Sequence, residues 1–144
     1  MSQMNRIKGG LVNQKKSISF TFNGQILTGF EGDTLASALL ANNKKLVGRS
    51  FKYHRPRGIV TAGSEEPNAI MEIGNGAYKE PNTKATITQL YNGLEANSQN
   101  HRGPLGFDLM AITDFLSPLL GAGFYYKTFM WPKAFWEKFY EPAI

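Results

Sequence analysis

Cysteine is absent from all 144 residues. Disulfides, thiolate metal sites, cysteine-ligated iron–sulfur clusters and a cysteine nucleophile are therefore excluded. The absence fits a reducing compartment. Long apolar runs are missing too. The longest apolar region, Phe107 to Phe124, is broken by Asp108, Asp114 and Pro118 and makes a poor membrane span. The N-terminal MSQMNRIKGG lacks the apolar run of a signal peptide, so a cytoplasmic protein is expected. Internal repeats, low-complexity tracts and a G-x-G-x-x-G dinucleotide fingerprint are also lacking. Acidic residues are in deficit: 11 against 16 Lys and Arg, a formal charge of +5. That balance favours an anionic partner, whether nucleotide phosphates, nucleic acid, an acidic protein face or an anionic membrane.

An ordinary apolar fraction of 42 % points to a folded chain. The length suits one domain, or one small domain with an extension, and can bury a real core. The most informative stretch is KKLVGRSFKYHRPRGIVTAG, Lys44 to Gly63. From Lys44 to Arg57 it carries Lys44, Lys45, Arg49, Lys52, Arg55 and Arg57 and no acid, with Phe51, Tyr53 and His54 among the charges. Pro56 fixes one backbone angle and Gly58 frees another. Such a loop is poorly suited to a core and well suited to holding an anion beside planar, stacking groups. Arg49, Lys52, His54, Arg55, Arg57 and Gly58 are the candidate cofactor-binding residues, since guanidinium forks match phosphate oxygens. The same charges also suit an acidic neighbouring subunit, or bulk water. Lys44 and Lys45 have a second reading as charges at the negative end of a preceding helix.

Along the chain, residues 1–16 read as a flexible basic arm, or as an arm that wraps a partner. Ile18, Phe20 and Phe22 alternate with polar residues, and Asn23-Gly24 is the favoured pair for a two-residue hairpin turn. The spacing predicts a hairpin over Ser17–Phe30 with Phe20 opposite Leu27 and Ile18 opposite Gly29. Asp33 or Thr34 caps a helix striped by Leu35, Leu39, Ala36 and Leu40, and Asn42-Asn43 ends it. Ala69–Ile73 and Thr83–Leu90 read as strands, Gly74-Asn75-Gly76, Glu80-Pro81-Asn82 and Asn92-Gly93 as turns, and Glu95–Gly106 as irregular. A helix is expected over Phe107–Leu116. Eleven of the eighteen aromatic residues lie at or after Phe107, among them Trp131 and the helical stripe Phe135, Trp136, Phe139 and Tyr140. They either close a local core or dock on a surface that this chain does not supply.

The motifs GDTLASALLA, GRSFKYHRPRG, TAGSEEPNA, EPNTKAT, FYYKTFMWP and AFWEKFYEPAI run in order through nearly the whole chain. Together they closely resemble the start of the α subunit of heterotetrameric sarcosine oxidases. The order hairpin, helix, loop and two short strands is that of a β-grasp ferredoxin. The resemblance implies an α+β fold: a β-grasp (2Fe–2S ferredoxin-like) domain over residues 17–96. An aromatic-rich helical extension over 97–144 would lead to a dinucleotide-binding domain beyond this sequence, which makes the chain an N-terminal fragment or a short partial α chain. In related amine dehydrogenases the module carries a PRG motif, then C-x4-C-x2-C and one further cysteine. Carried over by spacing, the ligand positions fall on Thr61, Glu66, Ala69 and Thr86, so no iron–sulfur cluster is expected.

The resemblance further implies an oxidoreductase complex. Sarcosine is demethylated oxidatively to glycine, a one-carbon unit passes to tetrahydrofolate, and hydrogen peroxide is formed. FAD, FMN, NAD and tetrahydrofolate serve the full complex, none being bound by this chain alone. The β, γ and δ subunits and the rest of the α chain are the partners; no nucleic acid and no membrane are expected. On this reading the chain is a non-catalytic docking domain, and no nucleophile–base–orienter set can be assembled from it. His54 is either a general base or flavin neighbour, or a hydrogen-bonded structural residue. Glu65 and Glu66 either neutralise the basic loop or sit in an exposed turn, and His101 reads as loop. The competing reading is an autonomous nucleic-acid-binding module using the basic loop with Phe51 and Tyr53 as stacking platforms.

Overall fold

The computed structural model describes residues 3–116 and Pro118. The aromatic run at 121–131 and the stripe at 135–140 lie outside the described residues, and so does most of the expected helical extension. No helix among the described residues is long and apolar enough to cross a membrane.

The N-terminal hairpin forms as the alternation dictates. β1 (Asn13–Phe22) and β2 (Gln25–Glu31) are antiparallel, with Phe20 facing Leu27 and Ile18 facing Gly29. Asn23 and Gly24 turn between them at φ 49° and 77°, the left-handed pair that a type I′ turn needs. α1 (Leu35–Ala41) lies across the hairpin and buries Leu35, Ala36, Ala38, Leu39 and Ala41. Its close approach requires Gly29: an added Cβ there would collide with Leu90 and sit 3.1 Å from Ala38 Cβ. Thr34 is the N-cap, exchanging bonds with Ser37 in a capping box, and Asn42 closes the other end on the Ala38 carbonyl.

The remaining strands are β3 (Gly48–Arg49), β4 (Pro56–Arg57), β5 (Ile70–Ile73), β6 (Glu80–Lys84) and β7 (Glu95–Ser98). β3 and β4 form a separate two-stranded ribbon, while the main sheet runs β2-β1-β7-β5-β6. A mixed sheet grasping one helix is the α+β, β-grasp arrangement that the motif order implies. Phe20, Phe22, Leu27, Leu35, Leu39, Val47, Met71, Leu90 and Leu94 fill the space between sheet and helix.

Five boundaries differ from those read in the sequence. β7 occupies the sheet centre, parallel to β1 and antiparallel to β5, where an irregular segment was expected. Ala96 is its buried residue, Leu94 just ahead of it is buried too, and the Asn23 side chain anchors its end through Ser98. β6 includes Glu80-Pro81-Asn82, expected as a turn; it is an edge strand, where proline is tolerated. The β-branched run after Lys84 leaves the ladder instead. Its hydrogen bonds go to the start of α1, with Leu35 N donating to Thr88 O and Ala36 N to Ala85 O. Over 107–116 a 3-10 turn at Leu109–Ala111 precedes a short α2 (Ile112–Phe115).

The fifth difference is at the N-terminus. β1 starts at Asn13, ahead of Ser17, and residues 3–6 of the expected arm fold back onto the β2–α1 corner. The reason is Asp33, which is buried. Its two oxygens accept a bidentate fork from Arg6 at 2.8 and 2.6 Å, with further bonds from Phe30 N and Ser37 Oγ. Burial alone would raise the Asp33 pKa, but the Arg6 and Ser37 donors, Phe30 N and the Arg6 charge bring it below the usual value. The Arg6 guanidinium also lies 5.1 Å from the centre of the Phe30 ring. Removing one partner of such a buried pair strands the other, so Arg6→Ala, which strands a buried carboxylate, is expected to cost about 3 kcal/mol and Asp33→Ala about 2 kcal/mol, the latter discounted because the partly exposed Arg6 can turn to water. Urea midpoints measure both; an Arg6→Ala midpoint equal to that of the unsubstituted chain would show that the N-terminal segment contributes nothing.

Candidate functional site

The basic stretch is a tight ribbon and not an open loop. Gly48 pairs with Arg57 and Arg49 with Pro56, and Ser50 N donates to Arg55 O at 2.9 Å. His54 turns the tip at φ 53°, a left-handed position uncommon outside glycine. Gly58 is set by close packing: a Cβ there would lie 2.8 Å from the Lys45 carbonyl oxygen.

The structure divides the six candidate residues. Arg49 is turned inward and buried. Its guanidinium donates to the carbonyls of His54 at 2.7 Å, Leu105 at 3.0 Å and Gly106 at 3.3 Å. The expected phosphate contact is therefore replaced by an internal tie, because the side chain is buried and each of its three nitrogens already serves a carbonyl. His54 is tied as well. Its Nδ1 lies 2.6 Å from Asp108 Oδ2, and Arg49 Nε lies 3.9 Å from the same oxygen. Asp108 Oδ1 accepts from Arg102 N and Met110 N. Ribbon and residues 102–110 are thus locked by one arginine, one histidine and one carboxylate.

Three members face outward. Arg55 pairs with Asp114 at 2.6 Å, but both side chains are nearly half exposed, so the pair stabilises by only about 0.5 kcal/mol. Lys52 and Arg55 lie 5.0 and 4.9 Å from the centre of the Tyr53 ring. Arg57 makes no ion pair among the described residues. It lines an open cleft of about 290 Å³ with Phe51, Asn68, Ile70, Asn82 and Asn100. Phe51 beside it is 86 % exposed.

The positions assigned to cluster ligands do come together. Glu66 has no exposed surface, and its carboxylate accepts from the N–H groups of Val60, Thr61, Asn68 and Ala69 and from Thr61 Oγ1. Thr86 Oγ1 donates to Gly63 O at 2.7 Å, against the same loop. A [2Fe–2S] cluster needs four thiolates, or histidines in place of two of them. Two threonines, one glutamate and one alanine do not fit it. Among the described residues no group of three or more His, Cys, Asp or Glu could hold a metal ion.

Asp108 and the burial of Glu66 were not legible as site features. Glu66 neither neutralises the basic loop nor sits in an exposed turn: it is buried on the N–H groups of its own loop. The signal for Asp108 was its place ahead of a helical turn, since its side chain caps Met110 N. Both acids are strongly shifted. Burial would raise Glu66, but the backbone N–H groups of Thr61, Asn68, Val60 and Ala69 hold it at about 2, below its usual 4.5. Burial likewise opposes Asp108, which Arg102 N, Met110 N and His54 hold at about 2, below 3.8. A depressed pKa stabilises the fold above the unfolded value and ceases to do so as pH falls through the folded value. Stability is therefore expected to be level above about pH 5 and to fall steeply towards pH 2. Circular dichroism during acid titration checks this, and a urea midpoint unchanged down to pH 2 would contradict it.

Residues 15–101 match the 2Fe-2S iron-sulfur cluster binding domain family. Over all 144 residues the chain is 62 % identical to the sarcosine oxidase subunit alpha of Rhizobium meliloti (strain 1021), covering 15 % of that protein. The sarcosine oxidase subunit alpha of Corynebacterium sp. (strain U-96) is 39 % identical over 100 residues, 67 % of this chain and 10 % of that one. The chain thus spans a small part of the curated relatives it matches. The crystal structure of L-proline dehydrogenase from P. horikoshii aligns at 26 % identity and a TM-score of 0.48, covering 60 % of this chain and 16 % of that one. With most of its length matched, the chain belongs to the 2Fe-2S iron-sulfur cluster binding domain family, and its 144 residues hold no cysteine.

Proposed function

We propose that this chain is a non-catalytic docking domain of a sarcosine oxidase complex, lining a cofactor or subunit interface. The complex is an oxidoreductase: it oxidises the N-methyl group of sarcosine, releases glycine, passes the one-carbon unit to tetrahydrofolate and reduces dioxygen to hydrogen peroxide. FAD, FMN and NAD belong to the assembly, whose other members are the β, γ and δ subunits and the remainder of an α chain. It works in the cytoplasm, without membrane or nucleic acid. The similarity to sarcosine oxidase alpha subunits over the whole chain supports this membership.

The observation that carries the docking role is the surface around the ribbon. Phe51 stands exposed beside Lys52, Arg55 and Arg57. The segment bound to the ribbon through Asp108 and Asp114 exposes Phe107, Leu109, Ile112 and Phe115. Large apolar side chains accompanied by cations are what a contact surface offers. Cations on the outer side also suit a nucleotide phosphate or an acidic neighbour. The nucleic-acid alternative draws less support, because Arg6 and Arg49 are committed to interior partners.

In the assembled complex, Arg57→Ala and Arg55→Ala are expected to weaken subunit association or flavin and NAD retention by about tenfold, roughly 1.4 kcal/mol. Cofactor content and gel filtration read both effects, and normal values in both variants would remove the docking face. The isolated chain is expected to show no sarcosine turnover; measurable peroxide formation by it would contradict a non-catalytic role.

A further inference from the structure

The loop on which motif spacing places three of the family's four ligand positions carries a buried carboxylate. Glu66 Oε2 accepts from Thr61 N at 2.6 Å, Val60 N at 2.9 Å and Thr61 Oγ1 at 3.1 Å. Oε1 accepts from Asn68 N at 2.9 Å and Ala69 N at 3.2 Å. All five donors lie between residues 60 and 69, and Thr61, Glu66 and Ala69 are three of the four positions where thiolates would stand. The buried Thr86, the fourth, fastens the same loop through the Gly63 carbonyl.

A loop wrapped around an iron–sulfur cluster presents hydrogen-bond donors to the sulfurs. Without the cluster, inward N–H groups lose their acceptors at part-buried and buried positions, where leaving them unpaired is costly. A neutral side chain cannot answer five donors. A carboxylate can, since it is acceptor-only with about four lone-pair directions. Glutamine would offer one carbonyl oxygen and set its own N–H groups against theirs.

We propose that Glu66 is the resident anion of a former cluster site: its carboxylate organises the 60–69 loop in the way cluster sulfurs do in metal-bearing members of the family. The pocket it fills is then a small-carboxylate site occupied from within. This inference is independent of the docking role, because it concerns an interior group.

Thermal melting of the purified chain tests it. Glu66→Gln keeps the shape, removes the charge, and is expected to lower Tm by about 10 °C. Glu66→Ala is expected to fall as far and to recover several degrees in formate at constant ionic strength, while the unsubstituted chain does not respond. A Glu66→Gln variant melting with the unsubstituted chain would overturn the proposal, as would formate acting equally on all three proteins. Should Glu66→Ala not fold, amide hydrogen exchange in the unsubstituted chain decides. The N–H groups of Thr61, Asn68 and Ala69 are expected to be strongly protected, and exchange at unstructured rates would overturn the proposal.

Discussion

A carboxylate taken out of water needs donors around it or gives up its charge. Asp33, Glu66 and Asp108 each meet that requirement, and each does so where the chain has no regular ladder to hold it. Asp33 gathers the N-terminal segment, the β2–α1 corner and the helix start. Glu66 closes its own loop, and Asp108 joins residues 102–110 to the basic ribbon. Asp33 and Asp108 are thus polar cross-links between segments, while Glu66 braces a single loop. Buried ionic groups are weak evidence of net stability, since desolvation offsets much of the attraction. What they supply is a unique arrangement, because any other packing would leave a charge without partners.

The same requirement reshapes the meaning of the basic stretch. Its sequence presents a continuous positive run, yet Arg49 solvates carbonyls from inside and His54 sits on a carboxylate. The outward charge falls to Lys52, Arg55 and Arg57, gathered around Tyr53 and the open cleft. The inner arginine builds the platform on which the outer ones stand. Arg49 and Arg57 lie eight residues apart and carry the same chemistry, but they answer to different constraints.

The hairpin, its register and the helix cap were legible because each rests on local rules: alternation, an Asn-Gly turn and a short-range capping exchange. β7 was not, because Ala96 is its one apolar residue and its partners come from both ends of the domain. The extent of β6 was misread because Pro81 reads as a breaker unless the strand is known to be an edge. At the site, Thr61, Glu66 and Ala69 meet within one short loop, whereas the inward turn of Arg49 depended on carbonyls at 105 and 106. Long-range polar pairing leaves almost no local trace.

The central position of β7 has a bearing on synthesis. Thr21 pairs with Glu95, which leaves the ribosome some 70 residues later, so at about 5–20 residues per second β1 waits on the order of 4–15 s for its inner neighbour. Through that interval one side of the hairpin is an open strand edge, able to recruit other nascent chains. Lys15 and Lys16, exposed on the same strand, are the kind of charge that discourages such pairing until the sheet can close.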